Sequence, residues 1–306
     1  VKLKGAQLTI LPADDTMVMT KAHDMTEASG QEIGLSTAAL YPAHLTEDAL
    51  CTIAGMGFRV VEVFLQAEEE YAPAFGTELD RRRRDLGLRI HSLHLYAPYF
   101  DLWSPYSRML RETRERFQRL LEIAATVEAR ALTWHGLRYG IEEPRLVGAF
   151  FDSAAWAGEQ AQAAGCTLCI ENVSWCYLRT PEQVQAVRQA GLPVGFTFDT
   201  FQAGESGTSP AALIHAMDSH LTTVHLADYA PAGLRHLLPG EGTLDWPAIL
   251  RALQAVGYRG PLILEPAHVQ DPAVFLHARD FVQEILADVA RNNSVGIIFD
   301  KTEHLC

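Results

Sequence analysis

Cysteine is scarce in this 306-residue chain: five residues, an odd number, at Cys51, Cys166, Cys169, Cys176 and Cys306. Such usage excludes a disulfide scaffold. Cys166 and Cys169 form a lone C-x-x-C without the second pair a zinc site needs, and Cys169 stands in an apolar run, so a buried strand cysteine is expected. Long hydrophobic runs are missing too. None approaches the ~20 residues of a membrane helix, and the first apolar patch, Leu8 to Pro12, is too short for a signal-peptide core. A cytoplasmic protein with no membrane partner is the expectation. Basic residues are few: 25 Lys and Arg face 38 Asp and Glu, a formal net charge of -13. That balance opposes nucleic acid as a partner, because phosphate contacts supply most non-specific affinity. The one basic run, Arg81 to Arg84, reads as a solvated helix face. What is present is 48% hydrophobic and 21% charged residues, the composition of a folded globular protein.

Residues 1–31 show no clear period and carry polar punctuation, so they read as an N-terminal extension. From Ile33 onward, short β-rich runs alternate with helical segments. The runs cover 33–37, 59–64, 88–94, 131–135, 167–171, 194–199, 222–226 and 262–265, eight in all. Thr180-Pro181, Asp245-Trp246-Pro247 and Asp271-Pro272 are helix starts, each a capping side chain with proline in the first turn. The longest helical segment, 104–129, carries an apolar stripe of Leu110, Phe117, Leu120, Leu121 and Ile123. A doubly wound sheet would usually place a Gly-rich phosphate loop after its first strand. Here Ser36-Thr37-Ala38-Ala39-Leu40 follows. The fold class expected is α/β, a single (β/α)8 TIM barrel over 32–291 with a C-terminal tail over 292–306.

In a parallel barrel, catalytic groups stand at the C-terminal ends of the strands. Runs five to eight end in Glu171, Asp199, His225 and Glu265. Three carboxylates and an imidazole converging there cannot all keep their charge unless something neutralises them, and a divalent cation does so. Oxygen and nitrogen donors without thiolate suit Mn²⁺, Mg²⁺ or Co²⁺, with Zn²⁺ left open. The segments CIEN at 169–172, FDTF at 198–201, VHLAD at 224–228, RHLLPGEG at 235–242 and LEP at 264–266 resemble the signature segments of the xylose-isomerase-like TIM-barrel superfamily. That group holds sugar isomerases and epimerases and also endonuclease IV, and the resemblance spans roughly 33–290. Its ketose 3-epimerase branch implies that Glu171, Asp199, His225 and Glu265 hold one divalent metal ion. It also implies that Glu171 and Glu265 are the catalytic acid/base pair of a sugar isomerase or epimerase working by proton transfer through an enediolate.

Further candidates lie at the same end. His94 and His135 close runs three and four and resemble positions that hold additional metal in endonuclease IV; they are expected to contact substrate or a second ion. Gln202, His236 and Arg235 are candidate substrate contacts, as are Trp134 and Trp175, whose rings could stack on a sugar. Arg138 and Arg179 are candidate clamps for an anionic substituent, and Trp103 is a third candidate for stacking. Glu62 is expected chiefly to anchor a loop, and His91 to be a core histidine. An endonuclease reading is opposed by Gln202 and Leu234, which stand where that branch has metal-binding His and Asp. A barrel that only binds its ligand has no need of two acid/base glutamates. Homo-oligomerisation stays open.

Overall fold

A computed structural model describes residues 30–299 apart from 139, 140, 234, 268–270 and 272, and of 293–299 the backbone alone. The expected extension over 1–31 and the last residues of the expected tail therefore lie almost wholly outside the described residues. Eight strands close into a parallel barrel in sequence order: β1 (Ile33–Ser36), β2 (Val60–Phe64), β3 (Arg89–His94), β4 (Ala131–Trp134), β5 (Thr167–Glu171), β6 (Gly195–Asp199), β7 (Leu221–Leu226) and β8 (Leu262–Leu264), with β8 pairing back onto β1. The helices are α1 (Thr46–Gly55), α2 (Pro73–Leu86), α3 (Ser107–Val127), α4 (Pro144–Ala163), α5 (Pro181–Gln189), α6 (Thr200–Glu205), α7 (Pro210–Met217), α8 (Trp246–Ala255) and α9 (Val274–Phe299). This is the (β/α)8 barrel expected from the run-and-helix alternation. Residues 292–299, expected in the tail, instead continue α9. Among the described residues no helix is long and apolar enough to cross a membrane.

Local chemistry sets the element ends. Thr180 accepts from Gln183 N while the Gln183 side chain takes the Thr180 N–H, a capping box with Pro181 in the first turn. Asp245 caps α8 and Asp199 caps α6 in the same way, by accepting from a backbone N–H three residues on. The α3 stripe buries Phe117, Leu120, Leu121 and Ile123, while Leu110, expected in the same stripe, is only half-buried. In the basic run, Arg83 departs from the solvated face. It turns inward, 9% exposed, onto Asp80 and Glu128 at 2.7 and 2.8 Å.

Side chains alternate across each strand, and one face of every strand packs aliphatic and aromatic groups against the helices. The other face points into the barrel, where small or apolar residues such as Val60, Ala131 and Cys169 lie two positions before polar ones. Ser36, Glu62, Ser92, Thr133, Thr197 and Thr223 are all fully buried, and Thr133 and Thr197 bond to each other at 3.1 Å. Two register shifts adjust this interior. Val61 pairs with Ile90 and Glu62 with Ser92, which makes His91 the extra residue, and Thr222 is the extra residue of β7. Because of the first shift, Ser92 and His94 share the interior with Glu62.

Candidate functional site

His225 is the hub of the barrel mouth. It is fully buried, and its Nδ1 lies 3.1 Å from Glu171 Oε1, 2.9 Å from Glu265 Oε2 and 4.0 Å from Asp199 Oδ2. On the other side its Nε2 lies 2.9 Å from Glu62 Oε2. Glu171 Oε2 faces two more imidazoles, His135 Nε2 at 3.0 Å and His94 Nε2 at 3.4 Å. Strands β3, β5 and β7 and the β8 end thus bring four groups together. His94, Glu171, His225 and Glu265 each place one donor atom within 4.8 Å of the others, a buried group able to hold a metal ion. Asp199 stands just outside this tightest set. Its Oδ1 accepts Gln202 N at 2.6 Å as the α6 cap, while its Oδ2 is buried without a hydrogen-bond partner.

The electrostatics follow from crowding. Burial would raise the Glu62 carboxyl, but His225 beside it draws it down to about 2. Burial likewise opposes ionisation of Glu171, and its three imidazole neighbours, His135 foremost, overcome it and hold the carboxyl well below the usual range. Asp199 goes the other way: burial, and then the charge of Glu171, push it well above its ordinary value. Burial disfavours the His94 cation, yet Glu171, Glu265 and Glu62 raise it to about 9. Three carboxylates facing one imidazole nitrogen form a donor set that a dication suits, and the unpartnered Asp199 Oδ2 together with the upward push on Asp199 is the pattern that positive charge at this point would relieve. The residues present fit a metal ion.

Above the hub lies a cavity of about 360 Å³, near the lower end of the ~300–1,000 Å³ typical of small-molecule pockets. Glu171, Asp199, Glu265, His94, His135, Gln202, Arg235, His236 and Trp175 all line it. Trp175 is 42% exposed, and its ring meets that of His135 at 5.4 Å. Gln202 accepts Ser174 N at 2.9 Å through Oε1, which leaves its NH₂ available to a ligand hydroxyl. His236 stacks on Phe201 at 3.9 Å between ring centroids. Arg235 lies over the same ring and pairs with Glu205 at 2.6 Å.

Trp134 is a correction. It is 1% exposed, donates Nε1–H to Phe100 O at 3.1 Å and packs against Phe150 and Trp103. Because Thr133 faces the barrel interior, its successor must face the helices. Trp103 belongs to the same buried layer. Arg138 grips Asp101 at 2.8–3.0 Å and Arg179 lies 3.7 Å from Glu142; neither lines the cavity. Sequence reading missed Phe64, Gln66 and Tyr41 as cavity walls: Tyr41 and Gln66 depend on how the segments after β1 and β2 fold, whereas Phe64 ends β2 on the face that Glu62 shares. It also underrated Glu62, whose signal was available: a carboxylate alternating with Val61 and Val63 inside a strand has to be satisfied indoors.

The loop after β7, which carries Arg235 and His236, is pinned by Asp228. The Asp228 backbone exchanges two hydrogen bonds with Leu237, at 2.7 and 3.1 Å. Its carboxylate accepts from Tyr229 N and Leu244 N on Oδ1 and from Gly240 N and Trp246 Nε1 on Oδ2, at 2.8–3.2 Å. Gly242 lies so close that a Cβ there would fall 2.3 Å from Asp228 Oδ1. His236 takes φ of +52° within this loop.

Similarity to known proteins is consistent with this picture. The chain is 28% identical over 240 residues to 3-dehydroshikimate dehydratase of Pseudomonas putida, covering 71% of this chain and 35% of that protein. The chain therefore spans about a third of that relative's length. Among solved structures, a D-tagatose 3-epimerase-like protein superposes with a TM-score of 0.74 at 20% identity, covering 87% of this chain and all of that one. L-ribulose 3-epimerase gives 0.73 at 20% identity, covering 90% and 100%. These two likenesses are of fold. The family model described as xylose isomerase-like TIM barrel matches residues 52–287, and the chain belongs to that family.

Proposed function

We propose that this barrel is a divalent-metal-dependent sugar isomerase or epimerase, with Glu171 and Glu265 as its acid/base pair. The observation that carries the reading is that these carboxylates, from different sides of the barrel, approach the same His225 Nδ1 at 3.1 and 2.9 Å while both face one cavity of sugar-like size. Glu171, Asp199, His225 and Glu265 would hold the ion, which when bound supplies Lewis acidity toward the charge developing on a carbonyl oxygen. Glu171, kept ionised by its imidazole neighbours, is able to accept a proton from the carbon beside that carbonyl. Glu265, across the cavity, is placed to return one to the opposite face or to the neighbouring carbon. His135, 3.0 Å from Glu171 Oε2, steadies the carboxylate in either charge state. Trp175 offers a ring to the apolar face of a sugar, and the Gln202 NH₂ offers a donor to its hydroxyls. The pocket's one arginine among the described residues, Arg235, is paired to Glu205, which favours a small neutral polyol over a polyanion such as DNA.

A second reading has one observation in its favour, the sequence relative named a dehydratase. Dehydration next to a carbonyl begins with the same proton removal and ends with loss of a β-hydroxyl as water. Incubating Mn²⁺-loaded protein in D₂O with a panel of ketoses and inososes separates the two. The expected result is deuterium at a carbon-bound position with the substrate's hydroxyl count unchanged. With 3-dehydroshikimate, itself an enone, loss of water and growth of the aromatic absorbance of a dihydroxybenzoate would move the assignment to a lyase. In Glu265→Gln the exchange should fall by about 10²–10⁴ while Mn²⁺ is still bound; unchanged turnover removes Glu265 from the chemistry.

A further inference from the structure

Glu62 neither lines the cavity nor has any access to solvent, so it reaches substrate by no route, yet the fold keeps a carboxylate in the barrel centre. Taking such a group out of water is costly unless it is fully bonded. It is bonded on all sides. Oε2 accepts from Ser92 Oγ at 2.7 Å, from Thr133 Oγ1 at 3.4 Å and from His225 Nε2 at 2.9 Å, and Ser36 Oγ stands 3.4 Å from Oε1. Hydroxyls from β1, β3 and β4 therefore fix the carboxylate, and the carboxylate fixes one imidazole nitrogen.

A neutral imidazole carries a single N–H, and whichever nitrogen bears it can only donate. Both nitrogens face carboxylates, so a neutral ring satisfies only one side; with an ion taking the lone pair of Nδ1, the proton belongs on Nε2, where Glu62 accepts it. The lone pair is then on Nδ1, the atom that faces Glu171, Glu265 and Asp199. We propose that Glu62 is the positioning residue of the site: it sets the tautomer and ring orientation of His225 so that Nδ1 is presented to the metal. This rests on the metal-site reading above. Glu62 touches no reacting atom and acts through His225 alone. A ring released from this contact could place its proton on Nδ1 and withdraw the nitrogen ligand.

The test compares Mn²⁺ affinity by calorimetry in the wild type, Glu62→Gln and Glu62→Met. The glutamine carbonyl can still accept from Nε2–H while its NH₂ turns toward Ser36, so Gln should retain most of the affinity. Met offers only a weak thioether acceptor and should weaken binding by about 10–100-fold, the usual effect of removing the partner of a ligating histidine. Long-range ¹H–¹⁵N correlation on the Zn²⁺-loaded wild type should show His225 protonated at Nε2, its signals identified by their loss in His225→Gln. That measurement needs no Glu62 variant to fold. Finding the proton on Nδ1 overturns the inference. So does a Met variant that binds Mn²⁺ within about threefold of wild type, even if it melts earlier, for then Glu62 serves stability alone. A wild type that binds neither Mn²⁺ nor Zn²⁺ overturns the metal reading and this inference with it, whereas equal binding by all variants overturns only this inference.

Discussion

Asp228→Ala is expected to be among the most damaging single changes outside the cavity, and its size can be worked from the contacts. One carboxylate, 1% exposed, satisfies three backbone N–H groups and the indole N–H of Trp246. A buried donor left unpaired costs about 1–3 kcal/mol. Four such donors bound the loss at roughly 10 kcal/mol, but the β7–α8 loop can relax and admit water, so about 3–5 kcal/mol is the expected net. For a chain of this size that is a fall of about 10 °C in melting temperature. Asp228→Asn should lose nearly as much, because the amide keeps one acceptor atom and turns a donor toward two of the four N–H groups. The assay is thermal unfolding by circular dichroism, with hydrogen exchange at Gly240 and Leu244 reporting the loop itself. A double-mutant cycle with Trp246→Phe should return a coupling of about 1–2 kcal/mol. Since the loop carries His236 and Arg235, substrate affinity should fall with it. An Asp228→Ala protein melting within about 3 °C of wild type would refute the reasoning. Gly242→Ala approaches the same knot from outside: its methyl would lie 2.3 Å from Asp228 Oδ1 and 2.4 Å from Tyr229 O, and about 1–3 kcal/mol should be lost to the displacement.

His91 gives a pH-dependent expectation. Burial, helped by Arg89, lowers it from 6.5 to about 4. As pH falls below 6.5 the unfolded chain takes up the proton before the folded one, so stability present at neutral pH is lost between pH 6.5 and 4, by about 3 kcal/mol at ~1.4 kcal/mol per pH unit. Urea titrations should show this slope flattened in His91→Leu; parallel curves for the two proteins would exclude His91 as its source. Trp134→Phe should lose about 1–3 kcal/mol with the bond to Phe100 O and leave KM unchanged, whereas Trp175→Ala should raise KM with little change in melting temperature. The reverse pattern, read from kinetics and melts side by side, would return Trp134 to the site.

Most of the barrel was legible because its two determinants are local. Alternation every second residue marks a strand, and capping residues mark helix starts, so Thr180 and Asp245 placed α5 and α8 directly. Glu171 and Asp199 close their strands, His225 is the last residue but one of β7, and Glu265 follows β8 directly, because chemistry in this fold gathers at strand ends. The same alternation should have excluded Trp134. If His135 faces the mouth, its neighbour faces the helices, and the wrong expectation came from weighing ring chemistry above parity. What could not be read is set by contacts between distant segments. The extra residue at His91 shifts β3 against β2 and brings Ser92 to Glu62; nothing in either strand alone announces it. The Asp228 knot joins positions up to 18 residues apart through a loop with no period.

The buried polar interior follows from the same geometry and ties the fold to the site. A barrel filled with branched aliphatics would be cheaper to fold, since each hydroxyl or carboxylate placed indoors must find a partner. Here Thr133 and Thr197 bond to one another, and Ser36, Ser92 and Thr133 converge on Glu62. The layer beneath the mouth is therefore a scaffold of directed bonds. It transmits position upward through a single rigid ring, His225, to the carboxylates that face the cavity. Loose aliphatic packing could hold that ring's centre but not its rotation about the Cβ–Cγ bond, and rotation decides which nitrogen faces Glu171 and Glu265. The hydroxyl layer thus has a mechanistic reason to replace the hydrophobic one, and the replacement stops where the reason does: on the helix-facing side of the same strands, Ile90, Leu132, Ile170, Phe196 and Val224 are apolar and fully packed.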